Sequence, residues 1–295
     1  MRHPSFAILL ALVVLLATVP VVAETESEGL AELDKAVEEK LAVRSLDQLS
    51  RVIDRLQAAL NKGLDEPTSV FARNLLAETL MERASILTKA IFERNNGGRD
   101  TQIRMWNIAL SDLKRVVKID ENHAEAHFFI GRLQVRAGNY GEAREALDAA
   151  IGAVDAAKSI RAQALALRGN LQTDDEQRLA DYNQAVELAP DDANVIRTRG
   201  MFYWLQGKTE EAIDDLSKAV SLDPSHAATH ETRGVALLLK GEYDSALESI
   251  DKAIHIHTKV YKEQIDSLRE EKNSLREEKK HLTDQLDLKK ELLEL

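Results

Sequence analysis

Residues 190–223, PDDANVIRTRGMFYWLQGKTEEAIDDLSKAVSLD, are followed directly by residues 224–257, PSHAATHETRGVALLLKGEYDSALESIDKAIHIH. Pro190, Arg199, Gly200, Gly207, Ala212, Leu216, Ala219 and Leu222 recur 34 positions later as Pro224, Arg233, Gly234, Gly241, Ala246, Ile250, Ala253 and Ile256. A period of that length marks a repeat whose unit is one helical hairpin. Such a hairpin cannot bury its apolar face alone, so neighbours must stack into a solenoid with an extended concave surface. Working outward, Gly131, Gly138, Ala143 and Ala150 stand 7, 5 and 7 apart, and so do Gly200, Gly207, Ala212 and Ala219, and Gly234, Gly241, Ala246 and Ala253.

The shared spacing over residues 109–257 resembles the tetratricopeptide repeat family, here in an exported bacterial form. The resemblance implies an all-α fold, a right-handed solenoid of about six helical hairpins with a long C-terminal helix. Each matched residue has a physical reason. The first Gly and first Ala of a unit let its two helices cross closely, and the second Gly ends the first helix in the left-handed conformation. Pro190 and Pro224 close their units, leaving Asp191 and Ser225 to cap the next helix. Asn139 and Glu142 have capping-box spacing, which predicts a helix start there. Between Ala162 and Pro190 the pattern slips: Gly169 lies nine residues before Arg178, where the other units have twelve and a small residue. Tyr182 and Ala185 still match the end of a second helix, so a shortened turn over Gln172–Glu176 is expected.

Composition points the same way. Only 4% of the 295 residues are aromatic against 44% hydrophobic overall, which suits helices crossing over Ala and Gly better than sandwich or barrel cores. The net charge of −11 is spread along the chain and disfavours nucleic acid, whose phosphates demand clustered Lys and Arg. There is no Cys, which removes disulfides, thiolate metal sites and cysteine nucleophiles together.

The chain opens like an export signal, with Arg2 and His3 before an apolar run from Phe6 to Ala17 and small residues up to Ala23. Cleavage after Ala23 would deliver the protein to a bacterial periplasm or cell envelope. An uncleaved membrane anchor is the alternative, although the run is short for a span of about 20 residues. The expected organisation is a signal peptide over 1–23, divergent N-terminal hairpins over 24–118, the repeat array over 119–257 and a charged C-terminal helix over 258–295. The divergent part is expected as two pairs: Ala31–Val43 with Leu46–Leu60, then a helix from Thr68 to Phe92, a turn at Asn95–Gly98 and a helix carrying Ala109, Leu113 and Val116. In the last segment Tyr261, Leu268, Leu275 and Leu282 fall seven apart, with Ile265, Leu286 and Leu293 at the companion heptad position and Lys272 and Lys279 interrupting it. Two readings stand for it: a homodimeric coiled coil through residues 261–293, or a solitary charged helix that caps the last repeat.

Motifs for chemistry are sparse. His123 with His127, and His226 with His230, have helical metal-ligand spacing, but the second His of each pair occupies a site where the family packs a ring, so core histidines and no metal are expected. His255 and His257 are read as solvent or capping residues. Asp214 and Asp215 read as a solvated helix face. No phosphate-binding glycine loop or nucleophile elbow is present, so neither catalysis nor a cofactor is expected of this chain; beside a scaffold or a structural assembly arm, the resemblance leaves open an auxiliary module whose catalytic partner lies on another polypeptide. The resemblance instead assigns the first helix of each repeat to the concave side. It maps partner-binding positions for a protein or peptide to Phe128, Arg132, Val135 and Arg136, then Arg197, Met201 and Trp204, then Glu231, Val235 and Leu238. Trp204 follows Tyr203, which matches the packed aromatic site, so its ring is expected in the groove or against the adjacent repeat. The arginines Arg132, Arg136 and Arg197 suit carboxylates on an acidic segment.

Overall fold

A computed structural model describes residues 28–92 and 98–294. The expected signal segment and Asn95–Gly97 of the expected turn lie outside the described residues. Those described form twelve helices and no strand. The helices are α1 (Glu28–Leu41), α2 (Leu46–Lys62), α3 (Glu66–Phe92), α4 (Arg99–Ile119), α5 (Ala124–Ala137), α6 (Tyr140–Gly152), α7 (Lys158–Leu171), α8 (Asp175–Leu188), α9 (Ala193–Leu205), α10 (Thr209–Leu222), α11 (Ala227–Lys240) and α12 (Tyr243–Glu294). They pair as six consecutive antiparallel hairpins. The chain divides into two compact units, one ending at Asp120 and one beginning at Glu121.

In the first unit α1 pairs with α2 and α3 with α4, and α2 packs on α3. Leu49, Val52 and Leu56 of α2 and Leu75, Leu76 and Leu80 of α3 are buried at helical spacing. Ser45 caps α2 by accepting from the Gln48 amide at 3.3 Å. Gly29 of α1 lies so close to the end of α2 that a Cβ there would fall on the Gly63 carbonyl oxygen.

The second unit holds four hairpins, each packed on the next. Leu147, Leu216 and Ile250, each sixteen residues after its glycine, fill the space beside Gly131, Gly200 and Gly234, where a Cβ would come within 2.8–3.1 Å of their side chains. In the divergent hairpin the turn between α7 and α8 is three residues long, capped by Asp174 on the Gln177 amide at 2.8 Å. The shortening puts Tyr182, not a leucine, against Gly169. Its ring approaches so closely that a Cβ there would lie 2.5 Å away. Burial, opposed in part by Arg178, pushes the Tyr182 phenol up to about 12, and its hydroxyl donates to Asn170 at 2.7 Å.

In the first unit α1, α2 and α3 depart from their expected bounds by two or three residues at one or both ends, and in the second unit two caps are displaced by one residue. The caps of α9 and α11 are Asp192 and His226, not Asp191 and Ser225. Asp192 accepts from the Asn194 and Val195 amides, whereas Ser225 donates to Asp223. Helix α6 starts after Asn139, but no capping box forms. Asn139 donates to Gln134 at 3.0 Å, and Gln134 donates in turn to Glu142. Gly138 and Gly241 take φ of 80° and 87°, and the amides after them reach back to Gln134 O and Leu237 O in Schellman turns.

One packing device recurs without having been expected. Arg83 holds Asp112, Arg168 holds Asp181 and Arg199 holds Asp215, each through two guanidinium hydrogen bonds of 2.6–3.0 Å across a hairpin. These aspartates are buried, so the expectation that Asp215 belongs to a solvated face is overturned. Arg233 makes the same reach to Ser249, and in the hairpin of Gly131 the two positions are Ile130 and Ala146.

Candidate protein-binding groove

Three first helices of the second unit, α5, α7 and α9, place side chains around one cavity of about 350 Å³. Phe128 and Arg132 come from α5, Gln163, Leu167 and Asn170 from α7, and Asn194, Arg197 and Thr198 from α9. A second concavity of about 400 Å³ continues along α9 and shares Asn170, Arg197 and Thr198 with the first. It adds Arg178, Tyr182, Met201 and Leu205. Lining positions on α9 recur at three and four residues, so one stripe of that helix faces the channel.

Arg197 is the centre of the polar lining. It reaches Asn194 Oδ1 and Met201 Sδ at 3.3 Å each, and its buried Nε has no hydrogen-bond partner. Burial pulls its pKa down, with Asp223 and Asp192 opposing. Burial likewise lowers that of Arg132, which lies 5.7 Å and 5.9 Å from the Phe128 and Phe129 ring centres. Asp181 and Asp215 have the contrary effect on the structural arginines, raising Arg168 and Arg199. Both groove arginines stay charged, because arginine does not deprotonate in proteins. The channel therefore carries positive charge that has lost part of its water.

Among the residues mapped to the concave side, the cavities gather Phe128, Arg132, Arg197 and Met201. Phe128 is only 5% exposed, packed with Leu147, Ala150 and Ala164, and forms a floor more than a contact surface. Arg136 and Val135 lie on α5 outside the lining, and Trp204 is half-buried and lines neither cavity. The packed aromatic of α9 is Phe202, edge-on to Tyr182 at 5.5 Å, while Tyr203 is half-buried with Arg199 and Lys208 over its ring. Glu231 pairs with His257 at 2.8 Å, so His257 is more than a solvent residue. Val235 and Leu238 are exposed on α11.

The sequence reading missed Asn170, although Asn170 follows Gly169 just as Arg132 follows Gly131 and Met201 follows Gly200. The slipped spacing after Gly169 hid that register. No side-chain group able to hold a metal ion occurs among the described residues. His127 and His230 instead bond through Nε2 to the carbonyls of Glu121 and Pro224, six residues back in each case.

Stacked hairpins whose first helices line an open channel define the class of helical-repeat proteins. Residues 106–170 and 197–259 each match a tetratricopeptide repeat model. The chain is a tetratricopeptide repeat protein over those segments. No curated protein matches its sequence. Among solved structures it is similar to TTC0263, a thermophilic TPR protein in Thermus thermophilus, at 18% identity over 64% of this chain and 96% of that one, with a TM-score of 0.46. MamA from Desulfovibrio magneticus RS-1 is similar at 20% identity over 60% and 96%, with a TM-score of 0.43. YrrB, a TPR protein with an unusual peptide-binding site, is similar at 24% identity over 61% and 86%, with a TM-score of 0.41.

Proposed function

We propose that this protein is a non-catalytic scaffold whose channel along α5, α7 and α9 holds an extended or helical segment of a partner protein, with an acidic side chain of that segment at Arg197. The observation that carries the reading is the Arg197 guanidinium, partly desolvated, with a buried donor unspent in a cavity that Asn170, Asn194 and Arg132 also line. A carboxylate there would accept charge-assisted hydrogen bonds from planar donors. Co-purification with wild type and with Arg197→Ala plus Arg132→Ala tests it. Loss of the partners in the double variant is expected, and equal recovery would speak against the groove.

Export of this scaffold to a bacterial periplasm or envelope rests on the residues before Glu24, with their short basic start, apolar run and small residues up to Ala23. Fractionation of cells is expected to recover a mature chain starting at Glu24 outside the cytoplasm. Among the described residues no helix is long and apolar enough to cross a membrane. A second reading, self-association through residues 261–293, is favoured by the exposure of Tyr261, Ile265, Leu268, Leu275 and Leu282, each at least half open to solvent. It adds an assembly role to the same scaffold.

A further inference from the structure

In the interior hairpins the residue after the last small residue of the second helix is covered by the next hairpin. Ile151 and Val186 pack against the buried cluster around Leu165 and Val195, and Val220 is half-buried. The equivalent residue of the last hairpin, Ile254, is more than half exposed. Seven residues earlier Leu247 is equally open, whereas its counterpart Ile213 is half-buried. These two are the start of a longer series. Leu247, Ile254, Tyr261, Leu268, Leu275 and Leu282 follow at intervals of seven on the single helix α12, every one more than half exposed. A straight helix drifts by about 20° per heptad, so a strict series of sevens keeps one face only when the helix supercoils around another.

We propose that a second copy of this chain covers this stripe. The two α12 helices form a parallel, in-register, two-stranded coiled coil whose interface begins inside the last repeat, at Leu247 and Ile254, and so closes the open apolar end of the array. This rests on the self-association reading above and extends it from the tail into the repeats.

The charges select the occupant and its direction. With Leu268, Leu275 and Leu282 at heptad position d, Ile265, Lys272 and Lys279 fall at a, Glu271 and Glu278 at g, and Arg269 and Arg276 at e. In a parallel pair each g faces the following e of the other chain, which sets Glu271 against Arg276 of the second copy. Each interrupting lysine is also flanked by a g glutamate of the other chain, Lys272 by Glu271 and Lys279 by Glu278. The lysine stems can then lie over the leucines while their ammonium groups reach those carboxylates. An antiparallel pair would set arginine against arginine and glutamate against glutamate. Leu268, Glu271, Lys272, Leu275, Arg276 and Lys279 already surround a shallow hollow on the helix, the shape a facing side chain enters. Lysine at a also limits the number of strands, since more helices would bury it further.

The absence of cysteine makes the test direct. Single variants Ile254→Cys, Leu275→Cys and, as an outward-facing control, Glu270→Cys are made in the full mature chain, oxidised mildly and run without reductant. Light scattering of the unmodified chain gives its mass at tens of micromolar. The expected result is a mass of two chains, with Ile254→Cys and Leu275→Cys each yielding several-fold more disulfide-linked dimer than Glu270→Cys. Cross-linking at position 275 but not at 254 overturns the proposal while leaving a dimeric tail. A monomeric mass with no cross-linking at either removes both readings. A mass of three or more chains, or Ile254→Cys that links to Leu282→Cys in a mixture but not to itself, overturns the parallel pair.

Discussion

Arg83 and Asp112 display what the repeat pattern leaves out. The arginine of this pairing recurs beside the small residue of the first helix, yet its carboxylate stands 29, 13 or 16 residues away, because helix and turn lengths differ between hairpins. No fixed spacing announces the pair. Which acid is drawn inside depends on how two helices are rotated against each other. Asp112 is 1% exposed, and Asp112→Ala, which strands Arg83, is expected to cost about 3 kcal/mol in urea unfolding. Replacing both partners, Arg83→Met with Asp112→Leu, should recover most of that loss, since a well-packed apolar pair avoids burying charge. The close glycines make a parallel case. Gly169→Ala meets a buried tyrosine ring, whereas Gly29→Ala meets backbone at a still shorter distance, so the first is expected to cost about 1–3 kcal/mol and the second more. A pH effect follows from His226. Burial, and next Arg197, pull its pKa below the ordinary value, so the folded state takes up a proton less readily than the unfolded one. Stability present above the unfolded value of about 6.5 is then lost as pH falls below it. The His226 ring bonds the Thr229 hydroxyl and caps no backbone amide, so the melting temperature should fall between pH 7 and pH 5 by a smaller amount in His226→Asn, which removes the titration and places a residue favoured at a helix start.

At the scale of the element, helices were legible because their punctuation is local. Gly138, Gly207 and Gly241 all take positive φ just past a first helix, as the spacing predicts. Gly138→Ala and Gly241→Ala are each expected to lower stability by about 1 kcal/mol, read as a shift of the unfolding midpoint, because alanine is strained in that conformation. Caps were less legible. Asp191 and Asp192 are both competent to start α9, and it is Asp192 whose carboxylate accepts from the Asn194 and Val195 amides. The same holds for Asn139, whose amide is drawn back to Gln134 and so does not complete the box with Glu142. Helix α12 is the opposite case, because neither Gly nor Pro interrupts residues 242–295. It runs on as one helix of 52 residues, about 78 Å at 1.5 Å per residue.

On the scale of the whole molecule, each unit has its own buried face, and repeat proteins couple mainly between nearest neighbours. Gly29→Ala is therefore expected to lower hydrogen-exchange protection in α1 and α2 while leaving the amides of α9, α10 and α11 protected as before. Equal loss in both units would argue for tighter coupling than a repeat array provides. The sequence alone determined the class of fold and most of the hairpins, because the 34-residue recurrence of Gly and Ala states where helices must cross, and crossing distance is set by the residue at the crossing. It did not determine the channel. Arg132, Asn170 and Arg197 lie in three different hairpins, one of them out of register. Phe128, Trp204 and Glu231 were candidates by position alone, and packing buries the first, leaves the second half-buried outside the two cavities and pairs the third with His257. Tertiary structure alone decided these points, because the face a side chain presents depends on the angles between successive helices, and those angles are the sum of many contacts that no single repeat encodes.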